Sequence, residues 1–148
     1  MVRELFDGRL ALSPTMALIA LGDVLLIALF ITIGELRHGV PPLSGLDTIG
    51  QFLIGWFIVA PFGRVYTFRA FDSPRAAGAR LIAGWVPAAV LGVVIRANME
   101  AGATIAPVFV LVTVIGGIVL LLPWRMAVAW YLDKRNNVLA SGYRGSVL

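Results

Sequence analysis

The residues of this chain that could carry chemistry are few, and they fall in two places. The chain contains no Cys and one His, which excludes disulfides, thiol nucleophiles and multi-histidine metal centres. Asp23 stands alone in a long apolar run. A second group of ionisable residues lies where apolar runs end: Glu35, Arg37, His38, Asp47, Arg96 and Glu100. Neither place has the pattern of a metal or cofactor site, and none is predicted.

Asp23 lies one position past the midpoint of the apolar residues 10–34, so it should sit near the centre of a bilayer. A carboxylate at that depth costs about 2.5–3.5 kcal/mol, and it should therefore face other helices and be paired or protonated. The candidate partners at similar depth are Thr113 and the indole N–H of Trp56. Because the predicted spans place no Lys or Arg there, the sequence favours a hydrogen-bonded acid over a salt bridge.

Each group of polar residues has two interpretations. Asp23 is either a proton or cation site or a polar link that fixes helix packing. The cluster of Glu35, His38 and its neighbours is either an ion-attracting, pH-responsive mouth or a charge network that ends helices. We favour the network, because exposed ion pairs contribute little to stability.

The elements that must position these residues are membrane helices. Of the 148 residues, 59% are hydrophobic and 14% are charged, whereas soluble domains carry about 25% charged residues. Apolar runs long enough to span a bilayer predict a single transmembrane domain, an all-α integral membrane four-helix bundle. The predicted helices cover residues 10–34, 48–68, 76–95 and 101–132, and residues 133–148 form a cytoplasmic tail.

The Lys and Arg residues predict the orientation of the bundle. Ten lie on the side of the two termini and only Arg37 and Arg96 lie on the other, so both termini should be cytoplasmic and the protein should reside in the cell membrane. Nucleic acid is excluded as a partner because the charges fall between apolar runs and form no single face. The ten are Arg3, Arg9, Arg64, Arg69, Arg75, Arg80, Arg125, Lys134, Arg135 and Arg144.

Small residues recur every four positions in the third span, at Gly84, Ala88 and Gly92. Such a stripe lets another helix backbone approach closely. Packing within the bundle is the favoured interpretation, and self-association of the chain is the alternative.

Short motifs in the first two spans resemble a family of small four-span membrane proteins of unknown function in archaea and bacteria. The resemblance implies an all-helical membrane fold and supplies no activity, but it marks Asp23 and His38 as positions that match the family pattern. The motifs are Gly22-Asp23, Phe30, Gly34, His38-Gly39, Phe52, Gly55-Trp56 and Pro61.

Two functional hypotheses follow, and neither is enzymatic. The first is an oligomeric transporter or channel-like protein in which Asp23 is a protonatable intramembrane site. The second is an accessory or scaffold subunit that binds another membrane protein, a lipid or an apolar pigment. In both hypotheses the lipid bilayer surrounds the chain. The chain would assemble either with further copies of itself or with another membrane protein.

The orientation can be tested by cysteine labelling, because the natural chain contains no Cys. A Ser44→Cys variant should react with an impermeant maleimide added to whole cells, whereas a Ser141→Cys variant should react only after the cells are opened. The reverse pattern would overturn the orientation derived from the charges.

Overall fold

The computed structural model describes residues 10–41 and 44–145, except for the side chains of residues 137–145. Arg3 and Arg9, which contribute to the charge asymmetry, and residues 146–148 of the predicted tail lie outside the described residues. The described chain forms four α-helices and one short 3-10 helix, Phe68–Phe71. The α-helices are α1 (Pro14–Arg37), α2 (Leu46–Val59), α3 (Pro74–Met99) and α4 (Pro107–Gly145).

An all-α bundle is confirmed, and three of its helices, α1, α3 and α4, are long and apolar enough to cross a membrane. Serine caps, each followed by a proline, start two of them. Ser13 accepts a hydrogen bond from the amide of Met16, and Ser73 accepts one from the amide of Ala76. Successive helices alternate in direction. We call the end of the bundle where α1 begins the Ser13 end and the opposite end the His38 end.

The helix boundaries differ from the predicted ones, most of all in α2. The predicted helix 48–68 is instead a 14-residue helix that ends at Val59, about 21 Å long and shorter than the roughly 30 Å hydrocarbon core. The predicted helix reached residue 68 because the residues after Val59 are largely apolar. Pro61, Gly63 and the left-handed backbone of Arg64 (φ 52°) prevent the helix from continuing. At the C-terminal end of the chain, helix α4 continues through the predicted tail to Gly145.

Residues 60–73, which we call the 60–73 segment, fill the space that the short α2 leaves at the Ser13 end. Val65, Tyr66, Ala70 and Phe71 of this segment are buried. The Tyr66 carbonyl accepts a hydrogen bond of 2.8 Å from the amide of Ala11. Irregular backbone is tolerated in a membrane protein where the surrounding protein buries it and satisfies its polar groups. The buried Val65 and Tyr66, whose carbonyls both accept hydrogen bonds, meet that condition.

Helix α3 packs extensively against α2 and α4. The stripe of Gly84, Ala88 and Gly92 faces α2 and the 60–73 segment. A Cβ atom on Gly92 would lie 2.5 Å from the Phe52 ring, and one on Gly84 would lie 2.6 Å from the Val65 side chain. The stripe is therefore occupied inside the bundle, and self-association would have to use another face.

The closest backbone approach lies at Gly55 of α2, and it yields a test of the packing. A Cβ at Gly55 would lie 2.7 Å from the Ala88 carbonyl oxygen and 3.0 Å from the Gly92 nitrogen. Gly55→Ala should lower the free energy of unfolding by about 1–3 kcal/mol, because backbone atoms cannot move aside cheaply.

Gly50 on the same helix is the matched control, since nothing lies within 4 Å of a Cβ built there. Gly50→Ala should be neutral or stabilising by up to about 1 kcal/mol, because alanine favours the helix. Tryptophan fluorescence during SDS titration of mixed micelles measures both. Equal effects of the two substitutions would contradict the close α2–α3 approach.

Candidate functional site

The structure places Asp23 of α1 opposite Arg125 of α4, with neither side chain more than 1% exposed. The guanidinium forms a bidentate interaction with the carboxylate: Nε donates to Oδ1 at 3.0 Å, and Nη2 donates to Oδ2. This forked geometry is the strongest that an arginine and a carboxylate can adopt. The two residues therefore form a buried ion pair.

Two aromatic residues extend this pair into a network that joins four parts of the chain. The Tyr66 hydroxyl donates to Asp23 Oδ2 at 2.6 Å and accepts a hydrogen bond from Trp56 Nε1 at 2.8 Å. The Nη1 of Arg125 donates to the Val65 carbonyl at 3.0 Å. We call Asp23, Trp56, Tyr66 and Arg125 the polar cluster. It joins α1, α2, α4 and the 60–73 segment.

Aromatic rings surround the charged guanidinium. The Arg125 Cζ lies 4.9 Å from the centre of the Tyr66 ring, 5.3 Å from Phe71 and 5.9 Å from Trp56. Ring faces attract cations, and more strongly where water is absent. The cluster thus offsets the desolvation of the Arg125 charge with a carboxylate, a carbonyl and three rings, as a buried ion pair requires.

The antiparallel arrangement of α1 and α4 brings the two charges to one level. A Cβ on Gly22 would lie 2.3 Å from the Trp124 ring, so these neighbours of Asp23 and Arg125 fix the register. Side chains on a helix lean toward its N-terminus. Asp23 therefore leans toward the Ser13 end, Arg125 leans away from it, and the two meet.

The expected partners of Asp23 need correction. The expectation that no Lys or Arg lies at its depth is wrong, because Arg125 pairs with it. Thr113 is buried, but its hydroxyl donates to the Phe109 carbonyl within α4 at 2.7 Å. Trp56 does belong to the cluster, but it reaches Asp23 only through the Tyr66 hydroxyl.

The error arose from where the helices start. The predicted start at residue 101 placed Arg125 about 36 Å along its helix, beyond a hydrocarbon core of about 30 Å. The observed start at Pro107 reduces that length to about 27 Å. The start of α1 at Pro14 rather than residue 10 moves Asp23 toward the Ser13 end. Both changes bring the charges together.

The residues of the second predicted group do not all come together. Arg96 and Glu100 form an ion pair, with Nε 2.8 Å from Oε2. Glu35, His38 and Arg96 line a cavity of about 430 Å³ at the His38 end, which we call the His38-end cavity. Arg37 and Asp47 are exposed and do not line it.

A second cavity of about 580 Å³ opens at the Ser13 end, and its lining is almost wholly apolar. We call it the Ser13-end cavity. Its lining on α1 runs from Ser13 to Ala20, whereas the lining of the His38-end cavity on α1 begins at Phe30. Asp23 and Ile27, which are 0% and 1% exposed, lie between them. Both cavities thus border α1, and the polar cluster lies between them, with its Tyr66 lining the Ser13-end cavity.

Among the described residues, no three His, Asp or Glu side chains come together as a metal site would require. Residues 20–128 match a family described as "Protein of unknown function (DUF3054)". The chain belongs to this family. No curated protein and no solved structure matches the chain.

The DUF3054 match confirms the resemblance to a family of unknown function. The matched residues 20–128 include every member of the polar cluster, from Asp23 to Arg125. Arg125 and Tyr66 are the members that the sequence did not predict, and Arg125 was instead counted among the basic residues on the side of the two termini. Their membership of the cluster depends on the antiparallel register of α1 and α4 and on the early end of α2, neither of which a local sequence pattern reveals.

The pairing of Asp23 with Arg125 predicts a strongly non-additive mutant cycle. Asp23→Asn or Arg125→Met alone should lower the free energy of unfolding by about 3–5 kcal/mol, because each leaves a buried charge uncompensated. The double variant should cost clearly less than the sum of the two. SDS titration followed by tryptophan fluorescence measures all four proteins.

Glu100→Gln is the control, since it breaks the partly exposed pair with Arg96 and should change stability by about 1 kcal/mol or less. Additive effects of Asp23→Asn and Arg125→Met would show that the two charges do not interact.

Proposed function

We propose that this DUF3054 protein is a non-enzymatic, multi-pass transporter of the cell membrane, with both termini cytoplasmic. The observation that carries the proposal is the position of the polar cluster between two cavities that open at opposite ends of the bundle. A solute that enters one cavity meets a barrier of buried charge and apolar side chains. Transport then consists of opening this barrier and exposing the solute to the other side.

The contacts of α1 favour this helix as the moving part. Helix α1 touches α2 and α4 less extensively than α3 does, and both cavities border it. Among the described residues, Asp23 is the α1 side chain that hydrogen-bonds to the rest of the bundle. A rocking motion of α1 about that residue would widen one cavity while it narrows the other.

Asp23 can couple this motion to protons. A carboxylate that gains a proton loses its charge and with it most of the attraction to Arg125. Arg125 keeps the Val65 carbonyl and the rings of Tyr66 and Phe71 as partners. Protonation would therefore release α1 while the cation stays where it is. In this proposal Asp23 is not an isolated acid. Its protonation would break the ion pair that holds α1 against the rest of the bundle.

The accessory-subunit hypothesis has one observation in its favour, the apolar Ser13-end cavity, which would suit a lipid chain or an apolar pigment. Native mass spectrometry of protein extracted gently from its own membranes separates the two. A homo-oligomer without other bound mass supports the transporter. A stable second protein, lipid or pigment supports the accessory subunit.

Transport can be measured on proteoliposomes. Ethanolamine, lactate and glycine represent cationic, anionic and zwitterionic solutes, and uptake of each labelled probe is followed at pH 6 and pH 8, which lie on either side of neutrality. We expect pH-dependent uptake of at least one probe by the wild type. Folded Asp23→Asn protein should lose the pH dependence, because residue 23 no longer exchanges a proton.

Asp47→Asn should transport as the wild type does, since Asp47 is exposed and lines neither cavity. Wild-type vesicles that take up none of the three probes faster than protein-free vesicles would contradict the proposal. An Asp23→Asn protein with unchanged pH dependence would remove Asp23 from the mechanism.

A further inference from the structure

We infer that the His38-end cavity binds a small molecule that carries a primary ammonium group on an apolar body. The inference deepens the proposed transport function by assigning a substrate class to one of its cavities. It rests on the chemistry of the cavity lining, to which all four helices contribute a polar side chain. These are Glu35 of α1, Thr48 of α2, Arg96 of α3 and Thr113 of α4.

The charges of the lining favour a cation. Arg96 is already compensated, because it pairs with Glu100 at 2.8 Å and lies 5.0 Å from the centre of the Phe109 ring. Glu35 is half-buried, and its carboxylate has no ion-pair or hydrogen-bond partner among the described residues. His38, the remaining ionisable residue of the lining, is exposed at the rim. The uncompensated charge inside the cavity is therefore negative.

The hydroxyl groups favour a hydrogen-bond donor. The Thr113 hydroxyl donates its hydrogen bond to the Phe109 carbonyl at 2.7 Å. Toward a ligand it can therefore act only as an acceptor. Thr48 is buried and supplies a second hydroxyl oxygen. A primary ammonium has three N–H donors, which match one carboxylate and two hydroxyl oxygens. A ligand with a carboxylate would meet few hydrogen-bond donors in this cavity, and the negative charge of Glu35 would repel it.

Apart from Thr104, the rest of the lining is apolar and includes the rings of Phe30 and Phe109. A cavity of about 430 Å³ lies within the range of small-molecule sites, in which a few polar groups orient a mostly apolar ligand. Aromatic rings also attract ammonium groups directly. The ligand class is thus an amine with an aromatic or branched aliphatic body.

Isothermal titration calorimetry of the full chain in detergent micelles tests this assignment with three probes of similar size. These are 2-phenylethylammonium, the neutral 2-phenylethanol and the anionic 3-phenylpropionate. We expect the ammonium to bind about tenfold or more tightly than the other two, because hydrogen bonds to charged groups contribute about 1.5–3 kcal/mol each. Empty micelles supply the heat of partitioning.

Variants assign the binding to the cavity. Glu35→Gln should weaken ammonium binding about tenfold or more, and Thr113→Val should weaken it by a smaller factor. Asp47→Asn is the matched control, because Asp47 is an exposed carboxylate in the first turn of α2 that does not line the cavity. Its affinity for the ammonium should equal that of the wild type.

Equal binding of the ammonium and the alcohol, tighter binding of the carboxylate, or unchanged affinity in Glu35→Gln would overturn the inference. The probe series on wild-type protein decides it even where a variant fails to fold. Binding in micelles is independent of flux. Binding of 2-phenylethylammonium without its uptake into proteoliposomes would leave the ligand assignment standing and refute the transporter, and transport without ammonium binding would do the opposite.

Discussion

A charged arginine and a charged aspartate that are both withdrawn from solvent can persist only as partners, and this constraint organises the bundle. Neither charge can turn to lipid, and each alone would carry the full cost of its lost hydration. The fold meets the constraint by assembling the carboxylate, the guanidinium, a hydroxyl, an indole and a backbone carbonyl in one place. Four separate parts of the chain must be correctly placed for that network to close, so it specifies their arrangement as well as holding them.

The short α2 is a consequence of the same requirement. A second helix that continued to residue 68 would carry Tyr66 on a helical turn and keep the Val65 carbonyl in its own hydrogen-bond ladder. Ending the helix at Val59 frees the following residues to fold back beneath the bundle. There Tyr66 donates to Asp23, and the Val65 carbonyl receives Arg125. The irregular backbone, which is a liability in a membrane, becomes part of the site.

Much of the fold can be predicted from the sequence, because apolar runs and Ser-Pro caps are local signals. The presence of four helices and the packing role of Gly84, Ala88 and Gly92 belong to this category. The end of α2 and the start of α4 were not predicted, since hydropathy does not distinguish a helix from a buried turn. The site inherited those errors: Asp23 and Trp56 were found, whereas Arg125 and Tyr66 depend on the register between distant helices and carry no local signal.

The distance in sequence between the paired charges bears on how the protein is made. Asp23 and Arg125 are 102 residues apart, in the first and last helices. At about 5–20 residues per second, the ribosome delivers the arginine about 5–20 s after the aspartate. During that interval the nascent chain holds an acid without its cation. The first helix therefore gains the buried partner of its carboxylate only after α4 has been made, and a chain that stops before Arg125 would leave Asp23 without its cation.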